Sequence, residues 1–272
     1  LYIVSTPIGN LEDITLRALE VLKNSDIILC EDTRRSIKLL SHYKIKKRLI
    51  SYHKFNERKK ITNIIEYFNE GKILSLISDA GTPLLSDPGR LLVNQCVESE
   101  IKVVPIPGVS SVTSALSVSG FDDQFLFYGF LPKTENELEK VLTTLSKNAY
   151  TQIFFIPSIK INFYIKSFKK FFSGRKILIA KEITKIHETF VREEIDELKT
   201  FKNPIKGELT IVISENSTKV KKFDEEKVVN KIKKYLKKYT LKDTVNLILE
   251  TEKVNKKKIY ELCLKVKNEK NY

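Results

Sequence analysis

Four times in the first 110 residues, a short apolar run stops at a loop of unusual composition. The runs are Tyr2–Val4, Ile27–Cys30, Ile73–Ile77 and Val103–Ile106, each short and apolar enough to be a buried strand. Between them Leu16, Leu19 and Leu22, then Ile37 and Leu40, then Ile61, Ile64, Ile65 and Phe68 carry the spacing of helices with one apolar face. This alternation restricts the chain to an α/β fold with a mostly parallel sheet. Parallel strands put all their carboxyl ends on one rim, so the four following loops should converge there.

Those loops are Ser5–Asn10, Glu31–Arg34, Ser78–Gly89 and Pro105–Ser111. The third is the densest: two Gly, two Pro, two Asp and three hydroxyl residues take nine of twelve positions. Glycine lets a backbone approach a ligand closely, and proline holds neighbouring N–H groups in a fixed direction. Such a loop at a strand's carboxyl end is where open α/β sheets take ligands. Pro88 suits the first turn of the next helix, with Asp87 as its cap.

After Gly120 the pattern restarts. Phe125–Phe130, Ile153–Ile156, Lys176–Ala180 and Leu209–Ile213 read as strands, residues 135–147 as a charged helix, and Phe163 with Phe168–Phe172 as core of another helix. The expected organisation is an α/β domain over residues 1–119, a second over 120–218, and a basic helical module over 219–272. That last segment has no Gly or Pro and carries 17 Lys against 8 Asp and Glu, nine of the chain's net fourteen positive charges. Leu241–Leu249 and Lys256–Leu262 within it resemble a helix-turn-helix pair. Charge concentrated on a small module points to an anionic partner, with nucleic acid ahead of a membrane surface.

Cys30, Cys96 and Cys263 are scattered, as are His42, His53 and His187, so neither a disulfide framework nor a metal site is expected. The chain enters a strand at once and shows no leader pattern, which reads as cytoplasmic. Its longest uncharged run, Val103–Phe121, is too rich in Pro, Gly and hydroxyls for a membrane span.

Taken in order, several segments resemble one family. They are Tyr2–Leu11, Asp13–Leu19, Glu31–Arg34, Ile50–His53, Ser78–Gly89, Val104–Gly108, Phe127–Pro132, Lys181–Glu188 and Lys206–Glu208. The chain is similar to the bacterial 16S ribosomal RNA (cytidine-2′-O)-methyltransferases, a group within the tetrapyrrole-methylase fold. The resemblance implies two α/β domains with S-adenosylmethionine in the cleft between them, 16S ribosomal RNA of the 30S subunit as substrate, and a homodimer. It departs at Phe155–Lys160, where the family usually carries Tyr-Glu-Ser-Pro-His-Arg. Lysine does not replace the bidentate clamp of arginine.

Methyl transfer to a ribose hydroxyl needs alignment and the management of one proton. Within the family segments the candidate catalytic residues are Asp32, Arg34, Glu182, Lys185 and Glu188. The candidate cofactor residues are Pro7, Gly9, Asp79, Ala80, Gly81, Thr82, Pro107, Gly108 and Ser111. Two other activities suit the same fold: methylation of a precorrin-type tetrapyrrole, and a non-catalytic RNA-binding role in ribosome assembly.

Overall fold

A computed structural model describes residues 1–202, 206–216, 225–251 and 256–268. Residues 1–216 form one compact unit and 217–272 another; the boundary expected at 218/219 lies outside the described residues.

The first sheet contains β1 (Tyr2–Val4), β2 (Ile27–Cys30), β3 (Arg48–Ser51), β4 (Leu74–Ile77) and β5 (Val104–Ile106). Their order is β3-β2-β4-β1-β5 and every pairing is parallel. Four helices connect them, α1 (Leu16–Asn24), α2 (Thr33–His42), α3 (Glu57–Asn69) and α4 (Arg90–Glu98), and α5 (Ser111–Ser117) follows β5. Strands β2 and β4 are buried along their whole length, because helices cover both faces. Leu29, Leu74 and Leu76 pack with Leu92 and Ile64 on one side. Ile28 and Ile77 pack with Val4 and Leu22 on the other. Each such side chain contributes about 1.5–3 kcal/mol by leaving water. The polar exception, Ser75, is buried with its hydroxyl 2.6 Å from that of Ser25, so it keeps a hydrogen-bond partner in the core.

The second sheet contains β6 (Phe125–Phe130), β7 (Thr151–Pro157), β8 (Lys176–Lys181), β9 (Thr189–Glu194) and β10 (Glu208–Ile213), in the order β6-β7-β10-β8-β9. Only β6 and β7 pair in parallel; the other pairings are antiparallel. Helices α6 (Glu135–Leu145) and α7 (Ile161–Phe171) cover one face, where Phe154, Tyr164, Phe168 and Phe172 form an aromatic core with rings about 6.3 Å apart. Phe163 and Phe171 are partly buried against it. On the other face α5 inserts Val112 and Ala115 against Ile153, Leu178, Ala180 and Val212. A helix of the first sheet thus forms part of the second sheet's core, which fixes the cleft between them.

The α/β architecture with two sheets is as expected. Two strands escaped the pattern, β3 and β9, whose residues are mostly exposed or half-buried. The cap at Asp87 is a correction. Helix α4 starts at Arg90 with Gly89 at its N-cap and no side-chain cap bond. Gly89 stands at φ 130°, outside the helical region, so the helix does not begin before it, and Asp87 lines the cleft instead.

Within the second unit, α8 (Glu225–Tyr235), α9 (Leu241–Thr251) and α10 (Lys256–Asn268) enclose Val228, Ile232, Val245, Ile248, Ile259 and Cys263. The turn of the helix-turn-helix reading, residues 252–255, lies outside the described residues. Among the described residues no helix is long and apolar enough to cross a membrane.

Candidate functional site

The loops after β1, β2, β4 and β5 meet on one rim and are tied to one another. Thr6 and Gly81 exchange both backbone hydrogen bonds at 2.9 Å. The Ser5 and Thr82 hydroxyls lie 3.0 Å apart, and Thr82 donates to the Val109 carbonyl at 3.1 Å. Asp79 accepts the Asp32 backbone N–H at 3.1 Å and pairs with Arg35 at 3.2 Å. Because β4 sits between β2 and β1, its loop reaches both neighbours, which is the crevice position of an open parallel sheet.

These loops face the second sheet across a cavity of about 380 Å³, within the size range of small-molecule sites. Asp79, Ala80, Gly81, Thr82 and Ser111 line it from one side. Phe130, Phe155, Ile156, Pro157, Ile183 and Glu208 line it from the other. A smaller recess of about 180 Å³ shares Arg35 and Asp79 and adds Pro7 and Lys38. Gly9, Pro107 and Gly108 lie outside both linings. Gly108 instead backs onto Ser5, whose Cβ would be 2.8 Å from any added Cβ.

The candidate catalytic residues lie outside the cavity lining as well. Asp32 caps α2 through the Arg34 N–H at 2.9 Å and holds the Arg34 guanidinium at 2.7 Å. That side-chain bond, with the backbone bond behind it, holds the Asp32 carboxyl at about 2. Glu182 accepts the Glu208 N–H at 2.9 Å and Lys185 at 3.0 Å, and these keep its carboxyl below the usual range. Burial alone would lower Lys185, but its bonds to Glu208 and Glu182 raise it. Glu188 accepts the Thr184 N–H at 2.6 Å. These groups fix loops at the cavity's edge.

Leu84, Ser86, Glu182 and Thr184 all hold positive φ, at 72°, 69°, 52° and 67°. Such backbone costs about 1–3 kcal/mol per residue and concentrates at ligand sites; both loops border this cavity. Gly9 meets the second of them. An added Cβ would clash with the Lys185 stem and lie 2.8 Å from Thr184 Oγ1 and 3.1 Å from the Ile183 carbonyl. Lys185 is tethered at its far end by Glu182 and Glu208, so it cannot swing away freely. Gly9→Ala should therefore destabilise the protein by about 1–3 kcal/mol. A urea midpoint equal to that of the wild type would refute this packing role.

Sequence reasoning missed Arg35, Asp87, Phe130 and Phe155 as lining residues. Arg35 adjoins the Glu31–Arg34 segment, Asp87 was assigned to a cap, and Phe130 stands in the Phe127–Pro132 segment. The departing segment contributes Phe155, Ile156 and Pro157 to the cavity as an apolar wall, while Lys160 points to the Lys133 carbonyl at 3.2 Å.

S-adenosylmethionine joins a flat heterocycle to a charged amino-acid end. The cavity suits both: Phe130, 60% exposed, stands beside Phe155 with ring centres 5.2 Å apart, and Asp79 and Ser111 supply polar groups opposite.

A family model described as tetrapyrrole (corrin/porphyrin) methylases matches residues 1–199. The ribosomal RNA small subunit methyltransferase I of Mesomycoplasma conjunctivae is 43% identical over 85% of this chain and 98% of that protein. That of Buchnera aphidicola is 38% identical over 97% of this chain and 96% of its own length. Among solved structures, the uroporphyrin-III C-methyltransferase of Thermus thermophilus complexed with S-adenyl homocysteine superposes with a TM-score of 0.54. It is 16% identical, covering 79% of this chain and 96% of that one, a likeness of fold alone. With the family match covering the first sheet and four of the five strands of the second, and these identities running over most of its length, the chain belongs to the tetrapyrrole methylases and, within them, to the ribosomal RNA small subunit methyltransferase I family.

Proposed function

We propose that the chain transfers the methyl group of S-adenosylmethionine to the 2′-hydroxyl of a cytidine ribose in 16S ribosomal RNA. The observation that carries this is the cavity between the two sheets, in a chain with 43% identity to a ribosomal RNA small subunit methyltransferase I over nearly all of that protein. The cofactor supplies an activated methyl on a sulfonium. In this reading Asp79, Ala80, Gly81, Thr82 and Ser111 hold it, while Pro7, Gly9, Pro107 and Gly108 keep the surrounding loops in place. Asp32 with Arg34, and Glu182 with Lys185 and Glu188, are positioning groups.

The assembled 30S subunit is the substrate form, a homodimer the working state and the cytoplasm the location in this same reading. The organisation into residues 1–119, 120–218 and 219–272 divides the labour. The first two parts enclose the cofactor, and the third, with its excess of lysine, binds RNA phosphates.

The test offers labelled S-adenosylmethionine with either 30S subunits or a precorrin. Label in alkali-resistant 16S RNA is the expected result. Label only in the precorrin would favour a tetrapyrrole methyltransferase, and label in neither a binding protein. Removing residues 219–272 should lower 30S affinity about tenfold near physiological salt and flatten its salt dependence. Cofactor affinity should stay unchanged. An unaltered salt slope would refute the tail's role.

A further inference from the structure

Asp87 reaches the cavity wall and has no cation to neutralise it. Of the other ionisable side chains lining the cavity, Arg35 is paired with Asp79, and Glu208 is held by Lys185 at 3.0 Å. Among the described residues Asp87 makes no ion pair. Two further carboxylates, Glu31 just after β2 and Asp79 after β4, act on its charge and raise its pKa, while the Ser78 hydroxyl, which donates to the Ala80 and Gly81 carbonyls at 3.3 and 3.4 Å, acts to lower it. The charges of His53 and Arg35 draw the Glu31 carboxyl down, against the burial and the Asp79 charge that raise it. Burial first, and the Glu31 charge after it, push the Asp87 carboxyl up to about 6.

We propose that Asp87 is the proton acceptor for the ribose hydroxyl. This rests on the proposed function and names the group that completes it. The 2′-oxygen bonds to the methyl carbon as the carbon–sulfur bond breaks, and that bond's electron pair stays on sulfur, turning a sulfonium into a neutral thioether. The O–H electron pair stays on oxygen, the proton passes to the Asp87 carboxylate, and water later takes it away.

A base works best when its pKa lies near the working pH. Asp32, held at about 2 by Arg34, is a weak base outside the cavity lining, and Glu182 is lowered by the Glu208 N–H and Lys185. Asp87 combines position with basicity. It is mostly ionised at pH 7.5, yet binds a proton more tightly than an ordinary aspartate does.

The experiment uses the full chain with 30S subunits between pH 5.5 and 8. In the wild type, kcat should fall with acid below about 6 and level off above about 7. Asp87→Asn should lose about 100-fold in kcat and lose the acid limb. Calorimetry should show S-adenosylmethionine affinity unchanged within about threefold. Asp87→Glu should recover part of the rate together with the limb. In protein labelled with carboxyl-13C aspartate, the resonance missing from both variants should titrate near 6 in the wild type. If the Asn variant stays within about fivefold of wild type with its acid limb intact, or that resonance titrates at 4 or below, the assignment is overturned. A wild type that methylates no 30S RNA overturns the proposed function and this assignment with it. An active wild type with an indifferent Asn variant overturns the assignment alone.

Discussion

Gly81→Leu should weaken S-adenosylmethionine binding about 100-fold or more, a loss of about 2.7 kcal/mol, in a protein that still folds. Gly81 sits at φ 80°, a left-handed conformation that costs an L-residue about 1–2 kcal/mol. It cannot relax away from that conformation, because its N–H and C=O are both bonded to Thr6 at 2.9 Å. An added Cβ would lie 3.3 Å from Ile8 Cγ2, and Ile8 is itself part of the cavity lining. The rest of a leucine side chain then has to displace Ile8 or enter the ligand's space. Gly81→Ala carries the same backbone strain with only the first contact, so it should lose much less, about tenfold. The strain should lower the melting temperature by only a few degrees, at about 2–4 °C per kcal/mol for a unit of this size. Calorimetry giving Gly81→Leu an affinity within about tenfold of wild type would mean that the cofactor binds elsewhere.

The difference between those two variants depends on a loop whose role was legible from composition. The strand ahead of it was legible for a related reason. Strands β2 and β4 are buried on both faces, so their sequences are continuous apolar runs with no helical period. Arg48–Ser51 and Thr189–Glu194 are edge strands, and half-exposed edges carry no such signal. Their pairing comes from the neighbour already in place, which a local pattern does not contain.

The cavity lining was legible residue by residue at Asp79–Thr82 and Ser111, and elsewhere only to the level of the loop. In a helix, consecutive side chains point about 100° apart, so the motif residue Arg34 faces solvent, 87% exposed, while Arg35 turns to Asp79. Asp87 was misread because Asp-Pro before an apolar run is a genuine helix-start signal. What moves the start to Arg90 is the non-helical backbone of Gly89, at φ 130°, where an added Cβ would meet Leu76 and Leu84. Gly9 was placed in the right loop, but its demand for space comes from Ile183–Lys185, far away in sequence. Each miss concerns what a residue meets across the fold, and the cavity is built from such meetings.

Arg175→Met should cost about 3–5 kcal/mol, the largest stability loss expected from a change remote from the cavity. Arg175 is only 3% exposed. Its guanidinium donates to the Ser146 carbonyl at 2.7 Å, the Asn148 carbonyl at 2.8 Å and the Ser214 carbonyl at 3.4 Å. It also lies 5.1 Å from the centre of the Phe172 ring. One planar donor thus joins the turn after α6, the turn before β8 and the end of β10. Methionine fills much of the space but leaves these carbonyls without their donor, and each buried unsatisfied group costs about 1–3 kcal/mol. Arg175→Lys restores the charge without the fork, so it should recover only part of the loss. Burial already presses the guanidinium toward its neutral form, a sign of how dry the position is. The expected fall in melting temperature for Arg175→Met is about 6–20 °C. Cofactor affinity should hardly change, because β8 runs from Lys176 beside this arginine to Lys181 near the cavity, about 16 Å at 3.3 Å per residue. A melting temperature within about 3 °C of wild type would refute the anchoring role, whereas a large fall in cofactor affinity at temperatures where the variant is folded would mean that the two ends of the second sheet are coupled.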